Sequence, residues 1–398
     1  MKHSRSTSLL LNVAHAIDHL VLLIFATAVG AIAADFGLAG WEDLMPFTAG
    51  AFVMFGLGSL PSGRLGDLWG RRAMMLIFFF GIGASTMLVA LTQNPWQMAA
   101  ALALMGAFAS IYHPVGIPML VQGADRPGKT IGINGLAGNL GIAVAAISTG
   151  VLVQFAGWRA AFVVPGLVSI ACGLLFLKAA PRESAPPARR AARALDMSPQ
   201  VRQRAFLVMT LTAVTGSLIF NFTTNGNAEL LKTRLPLLLE QPALLGMLLA
   251  GVYGIASLAQ IVVGQMIDRL PMKGLLLGIL AAQPLLFIAA AVSEGWVFYA
   301  LMVLFMLFVF GAIPFTDALI VRFVDDGMRS RVTGMRLAIS FGVSSFAVWL
   351  LGPFVKASGF TTLLLTMAGI SVLSILFASW LPAQPAPEPA VAAAPSRA

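Results

Sequence analysis

The chain has 398 residues, of which 59% are apolar and only 10% charged, and its mean hydropathy is +0.89. A soluble domain carries about 25% charged residues, so this chain cannot clothe a water-facing surface. That excludes a soluble enzyme, a disordered tail protein and a secreted disulfide scaffold, and the single cysteine, Cys172, can form no internal bridge.

Crossing a bilayer takes roughly 20 apolar residues per helix, and the apolar runs predict twelve spans. In chain order these are 9–34, 43–66, 73–92, 96–121, 130–155 and 159–179, then 204–231, 242–268, 272–293, 295–323, 330–355 and 360–381. The polar start, MKHSRSTS, is like that of a signal peptide, but eleven further spans and a charged residue inside the first predict a retained helix. That first span carries His15, Asp18 and His19 at i, i+3 and i+4, hence on one face. Span four contains Ile111-Tyr112-His113-Pro114, where the proline frees carbonyls and predicts a kink. The kink either exposes backbone to a cavity or serves packing. Span five carries Asn134 and Gly138-Asn139-Leu140-Gly141. Residues 180–203, rich in Pro, Ala and Arg, form an expected cytoplasmic linker, and 382–398 an expected disordered Pro/Ala tail. Span seven is unusually polar, from Asn221 through Thr224, Asn225 and Asn227 to Glu229, fit to bond a substrate or to act as interhelical glue. Asp317 in span ten and Arg336 in span eleven are further charges at depth. Arg336 alone favours an anionic substrate, whereas an Asp317–Arg336 pair is structural or part of a gate. Trp41, Trp96, Trp158 and Trp296 fall near span ends, as interface anchors do.

The formal charge of +9 reports topology. On this span pattern 20 of the 25 Lys and Arg fall on one side, and only Arg159, Lys232, Arg234 and Lys356 on the other, with Arg336 inside a span. That is the positive-inside asymmetry and puts both termini in the cytoplasm. No basic stripe interleaved with aromatics is present, so nucleic acid is not an expected partner.

The two halves repeat. Gly63-x-x-x-Asp67 matches Gly264-x-x-x-Asp268 at an offset of 201 residues, while Gly132 matches Gly334 and Gly157-Trp158 matches Gly359-Phe360 at 202. A near-constant offset argues for a duplicated six-helix unit, with domains 1–179 and 204–381, and paired repeats are the usual architecture of secondary transporters. In that repeat Asn221 lies roughly opposite Asp18, and Asn134 opposite Arg336.

The run Gly63-Arg64-Leu65-Gly66-Asp67-Leu68-Trp69-Gly70-Arg71-Arg72 resembles the signature loop of the major facilitator superfamily, G-x-L-x-D-x-x-G-R-R/K. The resemblance implies an all-α membrane protein of twelve transmembrane helices in two pseudo-symmetric six-helix bundles. It also implies a gating loop in which Gly63 permits close helix packing and Asp67 pairs with the following arginines, Arg71 and Arg72, with Asp268 as the repeat position. The alternative is an ordinary basic inner loop. His15 with Asp18 and His19, Tyr112-His113-Pro114 and Gly138-Asn139-Leu140-Gly141 resemble the fosmidomycin-resistance branch of drug exporters. Many proton-driven antiporters carry a Gly-Pro pair in span five, and here Gly141 to Gly150 holds no proline.

The family fold implies that spans one and four face one cavity. Asp18, His19 and His113 are then the proton-coupling candidates, since imidazoles titrate near neutral pH and a neighbouring carboxylate tunes them. The alternative is that Asp18 only bonds a nearby helix and His15 packs. His15, Tyr112, Asn134, Asn139, Asn221, Thr224, Asn225, Asp317 and Arg336 are the substrate-cavity candidates. His15, Asp18, His19 and His113 also admit a metal reading. No phosphate-binding or dinucleotide loop and no nucleophile triad is legible, so no cofactor and no enzymatic activity are expected, and energy comes from a gradient or from a separate partner. The resulting expectation is proton-coupled export of a small organic molecule or drug by a monomer in a bacterial inner membrane, with the lipid bilayer, protons and substrate as partners. Uptake of a nutrient, anion or metal chelate by symport is the alternative, and a non-transporting receptor or scaffold is the alternative of another class.

Overall fold

The computed structural model describes residues 4–122, 127–181, 199–238, 240–267, 269–323 and 326–382. Among them every regular element is helical, as expected of backbone that must satisfy its own hydrogen bonds in hydrocarbon. The first part of the chain holds α1 (Arg5–Asp35), a short α2 (Trp41–Leu44), α3 (Ala49–Trp69), α4 (Arg71–Val89), α5 (Pro95–Ala109), α6 (Ile117–Val121), α7 (Pro127–Ala156) and α8 (Trp158–Ala179). The second holds α9 (Pro199–Arg234), α10 (Pro242–Ile267), α11 (Met272–Ala291), α12 (Gly295–Gly311), α13 (Ile313–Phe323) and α14 (Asp326–Ser379). Eleven helical stretches among the described residues are long and apolar enough to cross a membrane. The linker residues 182–198 and the tail from residue 383 lie outside the described residues.

Local chemistry sets the element ends. The Ser4 hydroxyl accepts from the Thr7 amide at 3.1 Å and starts α1. The Asn94 carboxamide oxygen accepts from Trp96 and Gln97 at 3.1 and 3.0 Å, with Pro95 behind it, and starts α5. The kink expected at Pro114 is a π-helical turn, Tyr112–Gly116, between α5 and α6, a bulge common at functional sites. Two expected spans are less regular than their hydropathy. Span two opens with α2 and a 3-10 turn, Met45–Thr48, containing Pro46. Span ten is not one helix but α12 and α13, because Pro314 has no amide to continue the ladder from Gly311.

Gly157, between α7 and α8, has φ 80 and ψ 164, and its repeat partner Gly359, inside α14, has φ 77 and ψ 167. The repeat therefore extends to backbone conformation, and α14 is two helical segments joined at Gly359. That region of φ/ψ is open essentially to glycine alone. Gly359→Ala is expected to destabilise the protein by about 1–3 kcal/mol, read as a lower thermal midpoint in detergent, whereas Gly274→Ala, where φ is ordinary and nothing lies within 4 Å, leaves it nearly unchanged.

Within the first part α1 packs on α7 and α8, α3 on α5, and α4 on α5 and α8; within the second α9 and α11 pack on α14, and α10 and α11 on α12. Arginines tie the helix ends. Arg159 of α8 binds Asp35 of α1 at 2.8 Å and the Thr92 carbonyl at 3.3 Å. In the second part the polarity is reversed: Arg234 at the end of α9 donates to Thr361 at 2.8 Å and to the Ala291 carbonyl at 3.1 Å. At the opposite end Arg72 donates to the Leu177 and Ala180 carbonyls at 2.7 and 2.8 Å, and Arg204 to that of Trp380 at 2.6 Å.

The two parts meet through α7 on α10 and α3 on α14. They are closed at the end that carries Asp35 and Arg234. There Lys356 pairs with Asp43, Gln154 accepts from the Ala243 amide at 2.9 Å, and Trp41 stacks on Phe360. Gly150 and Gly246 bring the α7 and α10 backbones together, such that a Cβ on Gly246 would lie 3.1 Å from the Gly150 Cα.

Candidate functional site

Between the two parts lies a cavity of about 300 Å³. Its apolar walls include Phe52 and Phe55 of α3, Phe220 of α9, Phe315 of α13 and Phe341 of α14, and the Phe55 and Phe341 rings meet at 4.0 Å. Thr212 of α9, Leu276 of α11, Leu319 of α13 and Ser374 of α14 continue the lining toward the end that carries the Gly63–Arg72 loop. The cavity thus extends toward one end of the molecule while the other is closed.

The ionisable and amide side chains that the sequence singled out line it from several elements. Asp18 and His19 of α1, His113 of the π-turn, Asn139 of α7, Asn221, Thr224 and Asn225 of α9, and Arg336 of α14 all face it. Two of the three spaced residues of α1, Asp18 and His19, thus share the cavity with His113 and with the polar run of α9. The Asp18 carboxylate is fully buried, neither oxygen has a hydrogen-bond partner among the described residues, and Oδ2 lies 3.6 Å from His113 Nε2. An ionised group at depth needs such a counter-charge or a proton.

His15, Tyr112 and Asn134, expected at the cavity, do not line it; they form a buried network behind the wall. His15 Nδ1 lies 2.7 Å from the Asn134 carbonyl oxygen. A carbonyl only accepts, so Nδ1 carries the hydrogen, and Nε2, which has no partner, presents its lone pair. The Asn134 carboxamide donates to the Tyr112 hydroxyl at 2.7 Å and to Asn12 at 2.9 Å, and Tyr112 donates to the Leu11 carbonyl at 2.9 Å. The Tyr112 ring stacks on His15 at 4.8 Å. These bonds consume the polar groups of Asn134 and Tyr112, which is why neither faces a substrate. The run Gly138-Asn139-Leu140-Gly141 makes this approach possible: a Cβ on Gly138 would lie 2.6 Å from His15 Nε2, and one on Gly141 would collide with the Ala16 backbone. Asn134→Ala strands the Tyr112 and Asn12 groups, and is expected to cost about 1–3 kcal/mol of stability, measured as a lower midpoint of thermal unfolding with the oligomeric profile unchanged.

Across the cavity Asn221 donates to Ser344 of α14 at 2.7 Å and to the Ser217 carbonyl at 2.9 Å, and Asn225 donates to the Asn221 carbonyl at 3.1 Å. The Thr224 hydroxyl bonds back to the Phe220 carbonyl at 2.6 Å. Glu229 is tied to Lys232 at 2.7 Å near the closed end. The side chain of Asp317 and the whole of Asp268 lie outside the described residues. In the loop, Asp67 is exposed and forms no ion pair with a described residue. Arg71 donates to Gln122 at 3.2 Å, Arg72 holds the end of α8, and Gly63 faces Pro114 of the π-turn. The latch pairing that the resemblance implies is therefore not made among the described residues, at the end toward which the cavity extends.

Sequence reasoning missed Ser344 and Gln283. Ser344 sits beside Ser345 and one turn after Ser340 in an otherwise apolar helix, and small hydroxyls that bond back to their own helix give little signal. Gln283 is a lone amide within an apolar run, a detectable one, and it donates to the Phe308 carbonyl at 3.2 Å as well as lining the cavity.

The Major Facilitator Superfamily profile matches residues 11–336, and the chain belongs to that family. It is a multi-pass membrane transporter and not an enzyme. Among curated proteins it is similar to the puromycin resistance protein pur8 of Streptomyces alboniger, 28% identical over 173 residues, which is 43% of this chain and 33% of that protein. It is also similar to the tetracenomycin C resistance and export protein of Streptomyces glaucescens, 30% identical over 154 residues, 37% of this chain and 28% of that one. The match thus spans about a third of the length of these relatives. Among solved structures, a bacterial homolog to the human lysosomal transporter Spinster, in an inward-facing and occupied conformation, superposes with a TM-score of 0.70 at 13% identity, over 94% of this chain and 93% of that one. That likeness is one of fold.

Proposed function

We propose that this transporter exports a small organic molecule in exchange for protons, by alternating access of a midplane site. In this reading residues 1–179 and 204–381 form two six-helix bundles joined by a linker at 180–203, giving twelve spans with Gly359 separating the last two. The termini and the Gly63–Arg72 loop lie in the cytoplasm of a bacterial cell, and the protein sits in the inner membrane as a monomer. The structure then corresponds to the state open to the cytoplasm. Asp67, Arg71, Arg72 and Asp268 would come into play when that end closes.

The observation that carries the reading is the fully buried Asp18, whose carboxylate lies 3.6 Å from His113 on the wall of the same cavity that Asn221 and Arg336 line. Asp18 takes the proton and His19 and His113 share it. Asn139, Asn221, Thr224 and Asn225 offer neutral hydrogen bonds to cargo lying against the phenylalanine walls. The names of the Streptomyces relatives, one a resistance protein and one an export protein, support outward movement of an organic compound. Proton and cargo act by differential affinity for the two states.

The test is proton flux in liposomes holding the purified protein under an imposed pH gradient, with a panel of candidate organic cargoes, wild type beside Asp18→Asn. Cargo-dependent proton movement opposite in direction to cargo, and lost in Asp18→Asn, is the expected result. Cargo movement without proton flux in either protein overturns the coupling, and proton movement in the direction of cargo overturns export in favour of uptake.

A further inference from the structure

The chain has four histidines, and three of them converge. One ligating nitrogen from each of His15, His19 and His113 can be chosen so that all lie within 4.8 Å of one another. The rings meet edge to face rather than in a stack: His15 and His19 at 4.8 Å and 70°, His15 and His113 at 5.1 Å and 89°. Asp18 adds a carboxylate 3.6 Å from His113 Nε2.

We propose that this cluster is a binding site for a divalent transition metal ion, with His15, His19 and His113 as nitrogen ligands and Asp18 as the oxygen ligand. The site shares residues with the coupling centre proposed above, but the inference rests on geometry alone.

Three observations carry it. First, the atoms that would bind the ion lack other partners. His15 is 5% exposed and its Nε2 has no hydrogen bond; Asp18 is 0% exposed and neither oxygen has one. Buried polar atoms are nearly always bonded, and here three are without a hydrogen bond on two residues a turn apart on α1. Second, His15 is oriented as metal-binding imidazoles are: Nδ1–H is held by the Asn134 carbonyl at 2.7 Å, which fixes the tautomer and leaves Nε2 as the donor. Third, the remaining two imidazoles are on the cavity wall, so an ion has a path to them. A tetrahedral ion with bonds of about 2.0–2.1 Å holds its nitrogens about 3.4 Å apart, so the widest pair must close by roughly 1.4 Å, within reach of ring rotation at the two cavity-facing side chains. Imidazole with carboxylate suits borderline ions such as zinc, cobalt or nickel better than magnesium or calcium, which prefer all-oxygen sites.

The test uses full-length protein without a polyhistidine tag, stripped with chelator, in lipid nanodiscs, titrated with cobalt(II) and read by visible absorption. We expect one cobalt per chain with the intense d–d bands of a low-symmetry site, displaced by zinc. His19→Gln and His113→Gln each weaken binding at least about 10-fold, the least that losing even an outer partner of a ligand costs, with thermal unfolding still cooperative. His3→Gln binds as wild type. Absence of a stoichiometric cobalt spectrum in monodisperse, cooperatively melting protein overturns the proposal, as does an unchanged spectrum in the His19→Gln/His113→Gln double variant. The readout needs neither gradient nor cargo, so proton flux that fails while cobalt binds, or the converse, separates this proposal from the transport reading.

Discussion

Asp18→Asn is expected to reduce cargo-coupled proton flux to the level of protein-free liposomes while leaving the protein folded. The substitution keeps side-chain size and removes only the ionisable group, so it isolates charge from packing. Asp18 is 0% exposed and makes no hydrogen bond to a described residue, so the variant strands no partner and should melt within a few degrees of wild type. Asp18 lies 3.6 Å from His113 on the π-turn, His19 and Arg336 line the same cavity, and His15, whose ring meets those of His19 and Tyr112, is one turn earlier on α1. Interacting groups titrate as a set rather than singly. Asp18→Glu, which restores a carboxylate one methylene further out, is therefore expected to regain part of the flux with a displaced pH profile. Flux that persists at wild-type level in Asp18→Asn would make the carboxylate a structural group.

Gly246→Val is expected to shift the protein toward the state open at the end now closed. A Cβ on Gly246 would lie 2.5 Å from the Ala146 carbonyl and 3.1 Å from the Gly150 Cα. These are backbone atoms, which cannot swing away. Overpacking of this kind costs about 1–3 kcal/mol, which is relieved if α7 and α10 separate. By the factor of ten per 1.4 kcal/mol, the two-state balance moves by roughly 5- to 150-fold. With Cys172→Ser and Leu245→Cys in the background, a membrane-impermeant maleimide applied from the Asp43 side should label at least about 10-fold faster in Gly246→Val. Gly254→Val on the same helix, with nothing within 4 Å, should leave labelling unchanged. Equal labelling in the two variants would mean that this glycine contact does not hold the closed end together.

Much of this site was legible because membrane chains make polarity expensive. In a run with so few charges, His15, Asp18 and His19 at helical spacing stand out, and so do Asn221, Thr224 and Asn225. The structure brings both sets to one region, with Asp18, His19, Asn221, Thr224 and Asn225 on the cavity wall. The repeat was legible from glycines, since Gly157 and Gly359 occupy a backbone conformation that other residues do not tolerate. Spacing could not separate wall from support. Asn134 and Asn139 lie on the same helix, yet Asn134 spends its carboxamide on Tyr112 and Asn12 while Asn139 faces the cavity.

Composition and period alone were enough to make this chain a set of membrane helices and to mark its costly polar residues, because each of those follows from the local balance between side chain and hydrocarbon. The nitrogens that converge within 4.8 Å, the glycine contact at the closed end and an Asp67 without an ion pair among the described residues at the other depend on how α1, the π-turn, α7, α10 and α14 pack against one another. Those are distances between groups far apart along the chain, set by the fit of whole helix faces, and no local pattern encodes them.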